Sequence, residues 1–526
     1  MAEAIATQGS ADKPHDATLT DWIAVAAGSL GALLATLDIS ITNSALPQIQ
    51  GQIGATGTEG TWIATGYLMS EIVMIPLAAW LTRVFGLRRF LIGTALMFTF
   101  FSMFCGLSSS LGAMIAGRIG QGFAGGAMIP TAQTIVRTRL PPHQLPIGTT
   151  LFGLTAILGP LLGPVIGGWL TENIDWRWCF FLNLPISIAL ITLLLVGLPS
   201  ERMNLERFIK ADWLGILGLA VGLSSLTVVL EEGQREHWFD SLLIIWLSIA
   251  MVAGFFLIAV GQLRSSTPIL RLQLVINGSF GSVLLIGTAV GAGIYGTAYL
   301  VPQFLGLLSG YNAEQSGSIM LLSGIPAFLL MPVLPKMLGR YDLRVMVGIG
   351  LLLYWASCFV DTRLTTESVG HDFVLSQLLR GFGQILVMMP LSQLSMRSVD
   401  TRDAGDAAGL YNMSRNLGGT LGLTLLGVLM DRRSHFHDDV MREGILANSQ
   451  LAQDQMASNT ASYLSQSGDP STAQLQAFSQ LANDIAQQAL VMAYNDAFYV
   501  LGLAMLACFP LIFILKKRTT QAGLRK

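Results

Sequence analysis

The sequence predicts an all-α membrane protein in which fourteen helices cross a lipid bilayer. Of the 526 residues, 52% are hydrophobic and only 12% are charged. The apolar residues are gathered into long stretches, each near the ~20 residues that a helix needs to cross a hydrocarbon core roughly 30 Å thick. These stretches lack the alternation of polar and apolar residues that marks a membrane β-strand.

The predicted spans follow one another along nearly the whole chain. The 56 glycines fit this interpretation, because small residues let helices approach closely in lipid. The spans are 22–46, 60–82, 90–108, 112–136, 147–170, 177–198, 212–230, 242–262, 279–308, 315–337, 344–361, 372–396, 404–430 and 495–515.

The positive charges predict the orientation of the chain. Of the 30 Lys and Arg residues, 21 fall in the two tails and in the loops on the same side, 6 fall in the opposite loops, and 3 fall within spans. Cytoplasmic segments carry the excess of positive charge, so both termini are predicted to be cytoplasmic. Residues 1–20 are polar, and the apolar run that follows is too long for a cleavable signal, so we expect the first helix to remain as an anchor.

The two parts of the chain repeat a pattern. Residues 45–49 at the outer end of the first span match residues 300–304 in the ninth, with Pro and Gln at the same offsets. A second similarity links the fourth and twelfth spans. The fourth carries Arg118, Gln121 and Pro130, and the twelfth carries Arg380, Gln384 and Pro390. Two six-helix bundles related by a parallel repeat form the major facilitator fold, in which the substrate lies between the bundles near the middle of the membrane.

The repeat divides the chain and leaves two helices over. The extra spans 212–230 and 242–262 have no partner in the repeat, and we favour a passive packing role for them. The predicted division is a cytoplasmic N-terminal tail at 1–20, the first bundle at 21–200, a linker with the two extra helices at 201–270, the second bundle at 271–515, which includes an outer loop at 431–490, and a cytoplasmic C-terminal tail at 516–526.

The outer loop before the last span is unusually long. It has no Lys between Asp431 and Gln488 and is rich in Gln, Ser, Ala and Asn. Apolar residues recur in its last part at spacings of three and four, which predicts an amphipathic helix. These residues are Leu475, Phe478, Leu481 and Ile485. Two roles remain open, namely a solvated cap over the outer mouth and a docking surface for a partner.

Three ionisable residues fall inside spans of the first bundle. Counted from the outer ends of their helices, Asp38, Glu71 and Arg118 lie at depths of about 12, 16 and 9 Å. A charge inside a membrane span is costly and by default marks a substrate or proton path. Because desolvation and a nearby cation act oppositely on the proton affinity of a carboxylate, we predict that these residues couple transport to protons. The alternative for Arg118 is a purely structural pairing with a carboxylate.

The fifth span combines glycines four residues apart with prolines. Such glycines form a smooth face for close helix packing, and prolines bend a helix. We therefore predict a movable contact formed by Gly159, Pro160, Gly163, Pro164, Gly167 and Gly168.

Candidate substrate contacts come from several spans. Tyr295, Tyr299 and Gln303 recur every four residues and so share one face of the ninth span, where they offer apolar area with polar tips. Packing within the protein core is an equal alternative for them. Gln121, Asn412 and Arg415 complete the candidate set.

Several of these segments resemble the fourteen-helix drug:proton antiporters of the major facilitator superfamily, and most closely their EmrB-like members. The matching segments are Leu37-Asp38 through Pro47, Arg118-Ile119-Gly120-Gln121-Gly122, Gly159-Pro160 through Gly168, Trp176 through Pro185, and Leu410-Tyr411-Asn412 through Gly419. In the family the fourth-helix arginine is implicated in proton transfer, and the fifth-helix motif marks antiporters. The loop after the second helix departs from the pattern, since Ala79, Arg83 and Val84 replace its usual Gly, Asp and Arg.

The resemblance implies a function and partners. It implies proton-driven export of amphipathic toxic compounds across a bacterial inner membrane, together with an EmrA-like periplasmic adaptor and an outer-membrane channel, and no nucleic acid. Two alternatives are export of one endogenous metabolite, such as a siderophore or fatty acid, and a transport-dead sensor or scaffold. The sequence has no phosphate-binding Gly-rich loop, metal-spaced His/Cys cluster or nucleophile elbow, so we predict neither an enzyme nor a cofactor.

Overall fold

The predicted helical architecture is confirmed by a computed structural model, which describes residues 16–265, 269, 271–445, 450–467 and 469–515. Within these residues, eleven helices are long and apolar enough to cross a membrane, or twelve if a helix pair bent by 63° is one span. Most of the N-terminal tail and all of the C-terminal tail lie outside the described residues.

The first bundle is built from nine helical segments. Thr18 caps the first of them, since its side chain accepts a hydrogen bond from the backbone of Asp21. The segments are α1 (Leu19–Ile53), α2 (Gly57–Gly60), α3 (Trp62–Phe85), α4 (Leu87–Gly106), α5 (Leu111–Gly125), α6 (Met128–Arg139), α7 (Leu145–Asn173), α8 (Trp178–Phe181) and α9 (Asn183–Gly197).

The linker and the second bundle continue the helical chain. The linker holds α10 (Leu205–Ile209), α11 (Trp213–Glu232) and α12 (Leu242–Arg264). The second bundle holds α13 (Gln273–Ile276), α14 (Gly278–Leu307), α15 (Ala313–Leu321), α16 (Ile325–Leu330), α17 (Leu334–Arg340), α18 (Leu343–Val360), α19 (Val374–Arg397), α20 (Ala404–Ile445), α21 (Gln450–Ser467) and α22 (Pro470–Ala507).

Two predicted spans are broken helices. The span at 112–136 divides into α5 and α6 at Gly126, where a side chain would meet the backbone of Glu71 on α3. The span at 315–337 bends by 63° between Leu330 and Leu334, in a stretch that contains Pro332. Proline lacks the N–H that a continuous helix needs, so the bend has a local cause.

The predicted outer loop at 431–490 is mostly helical in its described residues. Helix α20 continues from the predicted span 404–430 to Ile445, and α21 and α22 then pack against each other as a helical hairpin. The expected helix around Phe478 is confirmed as the first part of α22. On this part of α22, Ala473 and Ala477 are buried, whereas Leu475 and Phe478 are exposed.

The two extra helices differ in their surroundings. Helix α12 packs on α11 through the backbone approach of Gly254 to Gly222, and most of its surface faces outward. Helix α11 instead packs against α3 of the first bundle and α20 of the second. At the C-terminal end of α11, the buried Glu232 carboxylate accepts a hydrogen bond of 2.7 Å from the hydroxyl of Thr65. The linker helix α11 therefore forms part of the contact between the bundles.

The glycine face of α7 packs on α1. A side chain at Gly159, Gly163 or Gly167 would meet Thr36, Ser40 or Ser44 of α1 respectively. Pro164 cannot donate to the carbonyl of Pro160 four residues earlier, and the hydroxyl of Ser40 lies 3.4 Å from that oxygen as a substitute donor. Gly168 has open space around it.

This contact gives a matched test of close packing. Gly163→Leu should lower the stability of the protein by at least about 1–3 kcal/mol, because the added side chain must displace α1. The matched change Gly168→Leu should have little effect, since no described atom outside the adjoining part of α7 lies within 4 Å of the position of its Cβ. Thermal unfolding of the two purified variants measures the difference, and equal melting temperatures would contradict the tight α1–α7 packing.

Candidate functional site

Two of the three predicted charges meet inside the first bundle. Arg118 of α5 donates through Nη1 to Oδ2 of Asp38 on α1 at 2.6 Å. Each residue is only 1% exposed. The pair is therefore a buried salt bridge that joins the first and fourth predicted spans.

Two amide side chains complete the shell of Asp38. Gln121 and Asn183 donate to its Oδ1 at 3.0 and 2.6 Å, and Gln121 also accepts from Arg118 at 3.1 Å. Asn183 lies in the segment from Trp176 to Pro185 that resembles the family, but it is not among the site residues predicted from the sequence. The signal available for it was a carboxamide at the start of the otherwise apolar α9. Charge-assisted hydrogen bonds of this kind offset the loss of water around a buried carboxylate.

Arg118 is also held on its other sides. Its Nε donates to the carbonyl of Ile63 at 3.3 Å, and its guanidinium lies 4.3 Å from the centre of the Tyr67 ring. The thiol of Cys105 lies 3.4 Å from the Gln121 oxygen that Arg118 also uses. The Asp38 shell, Arg118 and these neighbours form one polar network in the interior of the first bundle.

Glu71 is separate from this network. It is 2% exposed and points into a small cavity between the bundles, with room for about one water molecule. Thr227 of the linker helix and Tyr295 and Asn416 of the second bundle share that cavity. The side-chain oxygen of Asn416 has no hydrogen-bond partner among the described residues.

The structure therefore divides the predicted charge cluster. Arg118 contacts Asp38 directly, whereas it acts on Glu71 only through space, as does Arg415 from the second bundle. A cation that neutralises one carboxylate by contact influences the other more weakly, because the interaction falls with distance. Asp38 is enclosed within one bundle, and Glu71 lies at the contact between two.

The second bundle has its own buried ion pair. Arg380 on α19 donates to Asp361 at 2.6 Å and to the hydroxyl of Ser357 at 3.2 Å. Arg380 is the repeat mate of Arg118. Its acid, however, follows α18, the eleventh predicted span, whereas Asp38 lies in the first span. The repeat thus preserves the arginine and changes the helix that supplies its partner.

The candidate substrate residues do not form one pocket. Tyr295 lines the Glu71 cavity, whereas Tyr299 and Gln303, further out along α14, are exposed. Asn412 donates across the bundles to Gln133 of α6 at 2.8 Å. Arg415 is buried on α20, and Gln121 belongs to the Asp38 network.

An ion pair joins the two bundles at the ends that the sequence analysis predicts to be cytoplasmic. Arg83, at the end of α3, lies 3.0 Å from both carboxylate oxygens of Asp406 in the first turns of α20. Arg271 pairs with Asp403 and also lies 3.4 Å from Asp406. The arginine that replaces the usual aspartate of the family loop is thus one half of an ion pair between the bundles.

Comparisons with known proteins agree with this fold. The family model of the Major Facilitator Superfamily matches residues 28–423. The chain belongs to the major facilitator superfamily, and it is a transporter rather than an enzyme.

Within that superfamily the chain is EmrB-like. It is 32% identical to the colistin resistance protein EmrB of Acinetobacter baumannii, over 94% of this chain and 96% of that protein. It is 29% identical to the multidrug export protein EmrB of Escherichia coli K12, over 93% of this chain and 94% of that protein. The crystal structure of the human organic anion transporter MFSD10 shares the fold, with a TM-score of 0.58 at 15% identity over 92% of this chain and 99% of that one.

The Asp38 network predicts how substitutions of Arg118 will differ. Arg118→Ala should destabilise the protein by about 3–5 kcal/mol, because it leaves a buried carboxylate without its cation. Arg118→Lys should destabilise the protein less, because it keeps the positive charge. It should still be less stable than the parent, because it loses the planar guanidinium that also donates to Gln121 and Ile63.

Thermal unfolding of purified variants tests this order. The control is Arg118→Ala combined with Asp38→Asn, which removes both charges and should be less damaging than the sum of the single changes. Additive losses would show that the two side chains do not act as a pair.

Proposed function

We propose that this protein exports amphipathic toxic compounds across the inner membrane of a bacterium in exchange for protons. The observation that carries the proposal is the presence of two buried carboxylates in different settings. Asp38 is fully hydrogen-bonded within one bundle, and Glu71 lies in a cavity whose walls come from both bundles and the linker. The export of drugs follows the names of the two EmrB relatives.

Glu71 is the carboxylate whose surroundings change when the bundles move. Its neighbours Tyr295 and Asn416 lie on α14 and α20, so a rocking of the second bundle moves them away from α3. When the bundles separate, water reaches Glu71 and the positive charge of Arg415 no longer acts on it. Both changes alter the proton affinity of a carboxylate, which is the requirement for coupling protons to alternating access.

Asp38 responds to motion within the first bundle. Its donors lie on α5 and at the start of α9, so a shift of α1 along the glycine face of α7 stretches all of these hydrogen bonds together. The Arg118–Asp38 ion pair is therefore the contact through which motion within the first bundle acts on Asp38.

Proton-driven transport in proteoliposomes tests the proposal. Asp38→Asn and Glu71→Gln should insert normally and lose substrate-dependent proton flux, because neither amide binds a proton at neutral pH. Quenching of an internal pH dye on addition of an amphipathic cation measures the flux.

The matched control is Glu232→Gln. Glu232 is also a buried carboxylate, but it is bound to Thr65 near the outer end of α11, so its variant should keep the flux. Normal flux in both Asp38→Asn and Glu71→Gln would refute proton coupling through these residues.

We further propose that the α21–α22 hairpin docks a periplasmic adaptor that leads to an outer-membrane channel. The hairpin follows the outward part of α20 and presents Leu475 and Phe478 to solvent. Its base is fixed to the transporter, since Asp496 lies 2.5 Å from Arg433 and 2.8 Å from His437. A rigid platform with an exposed apolar face suits docking of a helical partner better than it suits a solvated cap.

Substitutions on this face separate docking from transport. Leu475→Ser with Phe478→Ser should keep proton-coupled transport in vesicles and abolish drug resistance in whole cells, because substrate released on the outer side of the inner membrane leaks back. The control pair Gln476→Ser and Gln487→Ser changes exposed residues of the same helix. Undiminished cross-linking of the adaptor to the apolar-face variant would place docking elsewhere.

A further inference from the structure

A carboxylate on the linker helix lies one helical turn from the Glu71 cavity. Thr227 of α11 lines that cavity. Glu231 follows Thr227 by four residues, so the two side chains share one face of α11 and stand about 6 Å apart along its axis. Glu231 is at the end of α11 that the sequence analysis predicts to be outer, and the function proposed above does not use it.

Helix α20 of the second bundle places Glu231 at the same level. Thr420 lines the Glu71 cavity. One turn further along α20, the hydroxyl of Thr424 donates to the carbonyl of Leu230 at 2.8 Å, and Leu230 directly precedes Glu231. The chain at Glu231 is therefore held against the second bundle, one turn beyond the cavity.

Glu231 and Glu232 are adjacent in sequence but differ in their surroundings. Glu232 is 3% exposed, and its carboxylate accepts hydrogen bonds from Thr61 and Thr65 and lies 3.7 Å from Arg235. Glu231 is partly exposed, yet its Oε1 is buried and has no hydrogen-bond partner among the described residues. Buried polar atoms are normally satisfied, so this oxygen is an acceptor suited to a proton or a water molecule.

Tyr295 of α14 lies within reach of both Glu231 and Glu71. Its side chain lines the Glu71 cavity, and the charges of both carboxylates act on its hydroxyl. A phenol donates and accepts at the same oxygen, so it can pass a proton without keeping a charge. The charged groups that act on Glu231 itself are Glu232 and Arg235, whereas the contacts that α3 and α20 make at this level come from threonines.

We propose that Glu231 receives protons from water at the outer face and passes them to Glu71 through Tyr295. A proton from water first binds Oε1 of Glu231. Glu231 then gives a proton to the phenol oxygen of Tyr295, while the phenol's own proton moves to the Glu71 carboxylate through a water molecule in the cavity, which has room for about one. The phenol is restored, Glu231 is a carboxylate again, and one proton has moved inward.

This relay joins a carboxylate that water can reach with one that is enclosed. Glu71 is 2% exposed, so it needs a route by which protons arrive from outside. Chains of acidic side chains supply such routes in membrane transporters. The inference rests on the proposed proton coupling through Glu71 and adds the residue that loads it.

The pH dependence of transport tests the relay. The full-length parent and Glu231→Gln are reconstituted in proteoliposomes with the same pH on both sides, and the amphipathic cation tetraphenylphosphonium is added to start the exchange. In the variant, Glu71 must take its proton directly from water, whose hydronium concentration falls as the pH rises. The ratio of variant to parent flux should therefore fall by about tenfold or more between pH 6 and pH 8.

Two further variants test the chemistry of the path. Tyr295→Phe keeps the ring and removes the hydroxyl, so its flux relative to the parent should also fall as the pH rises. Glu231→Asp keeps a carboxylate and should retain most of the parent flux at pH 8. Parent-like flux in Tyr295→Phe at every pH, or the same loss in Glu231→Asp as in Glu231→Gln, would overturn the relay.

The matched control is Glu232→Gln. This change removes the neighbouring carboxylate, which is bound to Thr65, and should leave the pH profile of the parent unchanged. A relay and a structural role differ here, because a structural defect in Glu231→Gln would lower the flux equally at every pH. That result, or the same pH-dependent loss in Glu232→Gln, would overturn the assignment of Glu231.

Failure of this inference is distinguishable from failure of the proposed function. Parent-like flux in Glu231→Gln at every pH, together with loss of flux in Glu71→Gln, would refute the relay and leave proton-coupled export in place. Normal flux in both Asp38→Asn and Glu71→Gln would refute the proposed coupling, whatever Glu231→Gln shows.

Discussion

The cost of placing charge inside a lipid bilayer is the constraint on which the rest of this structure depends. An ion removed from water must recover its solvation from protein groups. Asp38 on α1 recovers it from one arginine and two amides that come from two other helices, α5 and α9. The network therefore fixes how α1, α5 and α9 meet, and a single carboxylate determines the packing of much of the first bundle.

The same constraint explains the altered loop after the second predicted span. Arg83 stands where the family usually has an aspartate, and the structure supplies the opposite charge on the other bundle as Asp406. This ion pair joins the two bundles. Because Arg83 is partly exposed while Asp406 is buried, the pair lies at the edge of the protein, where water can compete for it when the bundles separate.

The sequence predicted those features that depend on periodicity and composition. The helical spans, the lipid-facing hydrophobicity and the glycine face of α7 follow from local patterns. It also singled out Asp38 and Arg118, because charges in apolar spans are conspicuous. It did not predict the contribution of Asn183, since an amide carries no such signal. The sequence also did not predict that Glu71 lies away from Arg118. Counting residues gives the depth of a side chain along its helix but not the direction in which it points around the helix axis.

The least predictable part of the molecule is the part that the internal repeat does not cover. Helix α11 has no counterpart in the repeat, yet its Thr227 shares a cavity with Glu71 and with residues of the second bundle. A passive spacer would not need to contact both bundles beside a buried carboxylate. The bundle motion proposed above carries α11 with one bundle and slides it past the other. Under that proposal, the linker that distinguishes this chain from a twelve-helix protein is mechanically coupled to Glu71.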